Sequence, residues 1–179
     1  PLSQIQAGMQ PPSRPPQLYL GCAGWAVPKA SSGRFPEDGS HLQRYAQIFN
    51  AVEINSSFYR SHRAATYVHW AASVPDDFRF AVKMPRTISH QARLLECDTT
   101  LQAFLGEVHQ LGSKLGCLLL QLPPSLGYSA SVALSFFELL RRLHKGPVTC
   151  EPRHVSWFAP LVDRQLKDHG ISRVAADPA

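Results

Sequence analysis

No CxxC pair, no HxH or HExxH string and no zinc-module spacing occurs in this chain, so neither a dithiol redox motif nor a sequence-local metal site is indicated. No apolar run approaches the roughly 18 residues that a membrane span needs, and the N-terminus has no basic-then-apolar leader pattern. Lys and Arg outnumber Asp and Glu by 18 to 13, a formal charge of +5, but the cations are spread out and form no clustered patch for a nucleic-acid backbone. These absences exclude a transmembrane protein, a disulfide scaffold and a polybasic binder. They predict a cytoplasmic protein with reduced cysteines and no membrane partner. Cys22, Cys97, Cys117 and Cys150 are the four cysteines, three of them inside apolar strand-like runs, where free thiols pack as small hydrophobes.

At 44% hydrophobic and 17% charged over 179 residues, the composition is that of an ordinary globular domain. Residues 1–17, with five prolines among Gln and Ser, cannot bury a core and are expected to be a disordered tail outside the fold. From Leu18 onward short apolar runs alternate with stretches of helical period. Strands are predicted at Leu18–Cys22, Ala51–Asn55, Phe78–Met84, Cys117–Leu122, Val148–Glu151 and about Ser172–Asp177. Helices are predicted over His41–Asn50, about Thr66–Val74, from Leu101 along a stripe that ends with Leu115, over Ser129–His144, and near Pro160–His169. Pro75 ends the second of these, Gly116 the third, and Pro160 opens the last. Six strands joined by crossover helices imply a parallel sheet, either doubly wound or closed as a barrel.

Strand side chains alternate between faces, so parity assigns each residue a side. In AVEIN the apolar Val52 and Ile54 share one face, leaving Glu53 and Asn55 on the other. In FRFAVKM Lys83 falls opposite the aromatic and aliphatic residues, in CLLLQLP Gln121 goes with Cys117 and Leu119, and in VTCEPR Glu151 and Arg153 go with Thr149. Asp177 shares parity with Ala175. Each strand therefore places a polar side chain near its C-terminal end, the end at which β/α proteins carry their sites and at which a charge can meet water or a ligand.

Five strings, GCAGW at 21–25, VEINSSFYR at 52–60, FRFAVKMPRTISH at 78–90, LGCLLLQLPPS at 115–125 and EPRHVSWF at 151–158, resemble the YecE-like family, domain of unknown function 72. The resemblance covers Leu18 to Pro178. It implies a parallel β/α barrel of TIM type, of which this chain carries six of the eight β-α units and lacks the last two. Pro152 stands where the family pattern usually has Phe.

Two readings of the site follow. As an enzyme, the chain is expected to be a hydrolase or lyase acting on a phosphorylated or polyanionic substrate. Glu53, Lys83, Glu151, His154 and Asp177 would be its catalytic groups, and Trp25, Asn55, Tyr59, Arg86, Gln121, Arg153 and Trp157 its substrate-binding residues. His154 follows Arg153 in a loop and is the best histidine for proton transfer, with His90 a second; each could instead bond the backbone. Glu53, Glu151 and Asp177 with His154 form the one set that could take a divalent metal, and Lys83 is the residue that could form a Schiff base. Alternatively the chain is a non-catalytic module for nucleic acid or another anion, in which Trp25, Phe58, Tyr59 and Trp157 stack bases or sugars, unless Phe58 and Trp157 simply pack the loop layer. Arg34, Arg60 and Arg63 either extend an anion path or are merely solvated. An incomplete, inactive barrel is a third expectation, with open sheet edges through which copies self-associate.

Overall fold

A computed structural model describes residues 17–176. The proline-rich segment 1–16 and Asp177 lie outside the described residues. Five strands, β1 (Ala51–Ile54), β2 (Arg79–Lys83), β3 (Leu115–Gln121), β4 (Val148–Glu151) and β5 (Ile171–Arg173), form one sheet in the order β1-β2-β3-β4-β5. Every adjacent pair is parallel. Helices α1 (His41–Ala46), α2 (Ala64–Ala72), α3 (Asp98–Val108), α4 (Ala130–Leu143) and α5 (Pro160–Asp168) alternate with the strands. The result is an open parallel α/β fold, as the alternation of periods predicts.

One face of the sheet is dry. Phe80, Val82, Leu118, Leu120 and Cys150 are wholly buried there, beneath Leu101, Phe104, Leu105 and Val108 of α3 and Ala133, Phe136, Phe137 and Leu140 of α4. The helix stripes sit at three- and four-residue spacing and the strand residues at two, so both patterns meet in one continuous core. α1 starts on a reciprocal capping box between Ser40 and Gln43, and α5 starts with Pro160 in its first turn.

Three expectations need correction. The predicted strand at Leu18–Cys22 forms no ladder; beside β1 there is a single parallel bridge, Ala23 to Glu53. Backbone pairing there is confined to Glu53, whose amide donates to the Cys22 carbonyl and whose carbonyl accepts from the Gly24 amide, both at 2.9 Å, and side chains hold the rest. Asn50 accepts from the Leu20 amide at 2.8 Å and donates to the Leu18 carbonyl at 2.9 Å, and the Tyr45 hydroxyl accepts from the Cys22 amide at 2.7 Å and donates to the Ala51 carbonyl at 3.0 Å. Five strands form where six were expected. The third helix does not run to Leu115: Gly112, at φ 57°, takes a left-handed conformation, and Leu115 and Gly116 already belong to β3. The first helix stops at Ala46 rather than Asn50, because the Ile48 and Phe49 amides both turn back to the Tyr45 carbonyl.

The 3% exposed Tyr45 is thus the clasp between segment 18–24 and the sheet. Tyr45→Phe should cost about 1–3 kcal/mol, since it strands one amide and one carbonyl while leaving the ring in place. Urea unfolding gives the loss and hydrogen exchange gives its location: the Cys22 amide should exchange faster. Unchanged protection there would mean that backbone bonds alone hold the segment.

Candidate functional site

The face opposite the helices carries the polar residues that parity assigns to it. Glu53 on β1, Lys83 on β2, Gln121 on β3 and Glu151 on β4 all stand at or near the C-terminal ends of their strands. They climb in steps along the ladder: Glu53 lies opposite Ala81, Lys83 opposite Leu119, and Gln121 opposite Glu151. The first two steps are two residues each, the kind of stagger that strands tilted to a common axis show, and the last is level. Loops tie the rim together. The Ser57 hydroxyl donates to the Lys83 carbonyl at 2.6 Å and lies 2.8 Å from that of Ile54, while the Leu122 amide donates to the Glu151 carbonyl at 3.0 Å.

The two rim carboxylates have opposite surroundings. Glu151 is 8% exposed, and one of its oxygens accepts from the Gln121 amide at 3.1 Å and from the Arg153 guanidinium. Gln121 sits opposite it across the ladder and Arg153 two residues along on the same side, so the parity of the sequence assembles this cradle without a long-range coincidence. Among the described residues Glu53 makes neither a side-chain hydrogen bond nor an ion pair within 4.0 Å. Burial holds its carboxyl above the ordinary glutamate range; the Lys83 charge pulls it down and the Glu151 charge pushes it further up. Lys83 rests its ammonium 4.6 Å from the centre of the Phe58 ring. Beside them the Asn55 side-chain oxygen is buried without a partner, a free acceptor at the end of β1.

The other candidates are more scattered. His154 accepts from the Ser156 amide at 3.1 Å and lies 2.8 Å from the Ser156 hydroxyl; it caps the turn after β4, the backbone-bonded alternative of the two. Trp157 is 1% exposed, donates its indole N–H to the Leu126 carbonyl at 2.9 Å and packs edge-on against Tyr128, so it has no face left for a ligand. The stacking role expected of Trp157 is therefore corrected: it fills the core under the loops. Phe58 is buried, whereas Tyr59 is exposed and stands edge-on to it at 4.9 Å. Trp25 is half-buried against Trp70. Arg86 is exposed, and His90 meets Phe58 edge-on at 4.9 Å and bonds the Ser89 hydroxyl at 2.8 Å. Burial and the Arg86 and Lys83 charges lower the basicity of His90. Among the described residues no three His, Cys, Asp or Glu side chains gather as a metal set, so Glu53, Glu151 and His154 do not converge as one. The cysteines are unpaired, and burial pushes Cys97 and Cys150 up to about 11 and about 12, which keeps them as thiols.

Ser56 and His62 escape a reading by periodicity. They meet across the loop after β1, hydroxyl to Nε2, at 2.8 Å, and His62 is held edge-on by Tyr67 and Trp70. Burial and Arg60 lower the basicity of His62, while Glu107 raises it. Both lie in or beside VEINSSFYR, and that string is the only sequence signal that marked the region.

Fold and rim together define a parallel α/β protein whose polar groups gather at one edge of the sheet, and no helix among the described residues is long and apolar enough to cross a membrane. The family model described as "Protein of unknown function DUF72" matches residues 19–179, and the chain belongs to that family. It is 34% identical over 167 residues to the UPF0759 protein YecE of Escherichia coli, covering 89% of this chain and 59% of that protein. To the UPF0759 protein YunF of Bacillus subtilis it is 26% identical over 155 residues, covering 80% of this chain and 53% of the relative. The chain thus spans between half and three fifths of the length of these relatives. Crystal structures of DUF72 family proteins share the fold. One from Enterococcus faecalis aligns with a TM-score of 0.72 at 23% identity over 87% of this chain and 59% of that one; one from Thermotoga maritima aligns at 0.71 with 26% identity over 89% and 64%.

Glu53 makes the rim sensitive to pH. Folding raises its proton affinity, so the stability it contributes is present at low pH and is lost as pH rises through its folded value. Glu53→Gln, which cannot ionise, should melt above the wild type at neutral pH, and the gap should close near about pH 4, where both forms are neutral. A gap independent of pH, measured by thermal melts across a buffer series, would show that Glu53 titrates like a solvated glutamate.

Proposed function

We propose that this chain carries the acid–base half of an enzyme site that acts, as a hydrolase or lyase, on a small anionic substrate at the C-terminal strand ends. The observation behind the reading is that two carboxylates share one rim without sharing an environment. Glu53 is partly desolvated and unpartnered, which raises its proton affinity, while Glu151 is cradled by Gln121 and Arg153. Separated environments of this kind are how one site keeps a proton donor beside a fixed negative charge. Glu53 then delivers or takes the proton, and Lys83, whose ammonium meets no carboxylate within 4.0 Å among the described residues, stabilises the developing negative charge. Glu151 acts as a positioning residue that aims Arg153. The unpartnered Asn55 oxygen suits a substrate hydroxyl.

We infer further that the sheet is part of a TIM-type β/α barrel. Consecutive parallel order, the rising register and the greater length of the relatives all support this, and a barrel would bring further strand ends to the same rim. A reducing compartment such as the cytoplasm suits four unpaired thiols.

The test is a melting-temperature screen of the chain against sugar phosphates, nucleotides, divalent metals and short oligonucleotides, followed by turnover assays on whichever small anion shifts the melt. Glu53→Gln should keep the shift and lose at least about a hundredfold in turnover, the usual worth of a positioned proton donor. Full turnover in Glu53→Gln would sink the proposal. A shift only with oligonucleotides, falling steeply with salt, would replace it with a nucleic-acid-binding reading.

A further inference from the structure

Three cations near the rim have no carboxylate partner. Ion pairs among the described residues join Lys114 to Asp76, Arg142 to Asp98, Arg153 to Glu151 and Arg173 to Asp163, and none involves Arg60, Lys83 or Arg86. Arg60 follows β1 and Arg86 follows β2, yet both line one cavity of about 210 Å³. Neither arginine has a counter-charge within 4.0 Å among the described residues, so an anion entering the cavity would meet two uncompensated positive charges. A carboxylate does stand beside the cavity, that of Glu107, but it makes no ion pair within 4.0 Å with either arginine. The nearby Ser61 hydroxyl is spent on the Glu107 carboxylate, at 2.9 and 3.1 Å, and Ser57 on backbone carbonyls. Thr87 and Thr100 also line the cavity, and neither hydroxyl is committed elsewhere among the described residues. The basicity of His90 is lowered in part by the Arg86 and Lys83 charges, as a locally positive potential requires. Phe58 forms part of the cavity wall and also carries the Lys83 ammonium 4.6 Å from its ring centre, so the cavity and the rim adjoin.

We propose that this cavity is a phosphate subsite, in which the phosphoryl group of a small phosphate monoester sits between Arg60 and Arg86 and receives the Thr87 and Thr100 hydroxyls. The organic part of the ligand then reaches past Phe58 toward Lys83 and Glu53. That second statement rests on the enzyme reading above; the subsite itself does not. A monoester fits better than a polymer. At neutral pH it carries close to two negative charges to match two guanidiniums, and a cavity of this volume holds a phosphoryl group and a few carbons rather than a continuing strand.

Inorganic phosphate and glycerol phosphate serve as probes, with binding read by melting shift and titration calorimetry at constant ionic strength on the wild-type chain and on Arg60→Gln, Arg86→Gln, Arg34→Gln and Arg153→Ala. Each lining variant should weaken both probes about tenfold or more, the loss expected when one charge-assisted contact goes. Arg34→Gln, exposed and not among the residues lining the cavity, should bind as the wild type does. Cooperative melts in the absence of probe certify that each variant is folded. No binding to the wild type, or binding as tight as the wild type's in both lining variants, overturns the subsite. Binding lost on Arg153→Ala but not on Arg60→Gln or Arg86→Gln also overturns it, while leaving the enzyme reading at the strand ends intact. Phosphate binding at the subsite with no turnover of any monoester would retain the subsite and remove the enzyme reading. An oligonucleotide that outcompetes glycerol phosphate at the cavity would assign it to a polymer instead.

Discussion

Everything at the rim depends on parallel in-register pairing. When β1 to β4 run the same way, their C-terminal ends arrive at one edge, and the two-residue alternation sends every second side chain to the face opposite the helices. Val52, Ile54, Phe80, Val82, Leu118 and Leu120 are committed to the dry side, and a register slip of one residue would bury a charge on β1 or β2 and the Gln121 amide on β3 in their place. The hydrophobic core therefore does more than stabilise the sheet. By locking register it sets the positions of Glu53, Lys83, Gln121 and Glu151 relative to one another, so the site inherits its precision from packing on the other face.

Charge at this edge is distributed unevenly. Glu151 has two donors, and Arg153 is consumed in supplying one of them. Glu53 has none, and Lys83, Arg60 and Arg86 have no counter-charge within ion-pair distance among the described residues. A protein edge optimised only for stability would pair these groups, because an unpaired desolvated charge is costly. The unpaired set lies together around Phe58 and the loops after β1 and β2, whereas the remaining ion pairs, Lys114 with Asp76, Arg142 with Asp98 and Arg173 with Asp163, serve the outer helices. That contrast, more than any single residue, is what supports the site proposed at the rim.

Some of this was legible in the chain before any coordinates. The α3 and α4 stripes, the four central strands and the facing of Glu53, Lys83, Gln121 and Glu151 follow from periodicity, because period two and period 3.6 are properties of local backbone geometry. The pairing of Gln121 with Glu151 was half visible, since parity gave the face and only register gave the neighbour. Other features had no local signal. Asn50 and Tyr45 hold residues 18–22 by side-chain bonds, with backbone pairing to Glu53 confined to Cys22 and Gly24, in a segment that reads as an ordinary apolar strand. Leu115 satisfies the helical stripe as well as it satisfies β3, and the left-handed Gly112 decides between them. Trp157 follows a rim strand like the residues around it, yet its indole is spent on the Leu126 carbonyl 31 residues away.

By itself the sequence determined an alternating parallel α/β fold, the family, and the face on which each strand residue stands. Those are matters of spacing along a chain, and spacing is fully written in the order of residues. Only the tertiary structure decided which polar groups are satisfied and which are not: that Glu151 is cradled and the half-buried Glu53 is not, that His154 caps a turn, that Ser56 meets His62, and that Arg60 and Arg86 share a cavity. Satisfaction depends on distances of a few ångströms between residues tens of positions apart, and those distances are set by how the core packs rather than by any local preference of the chain.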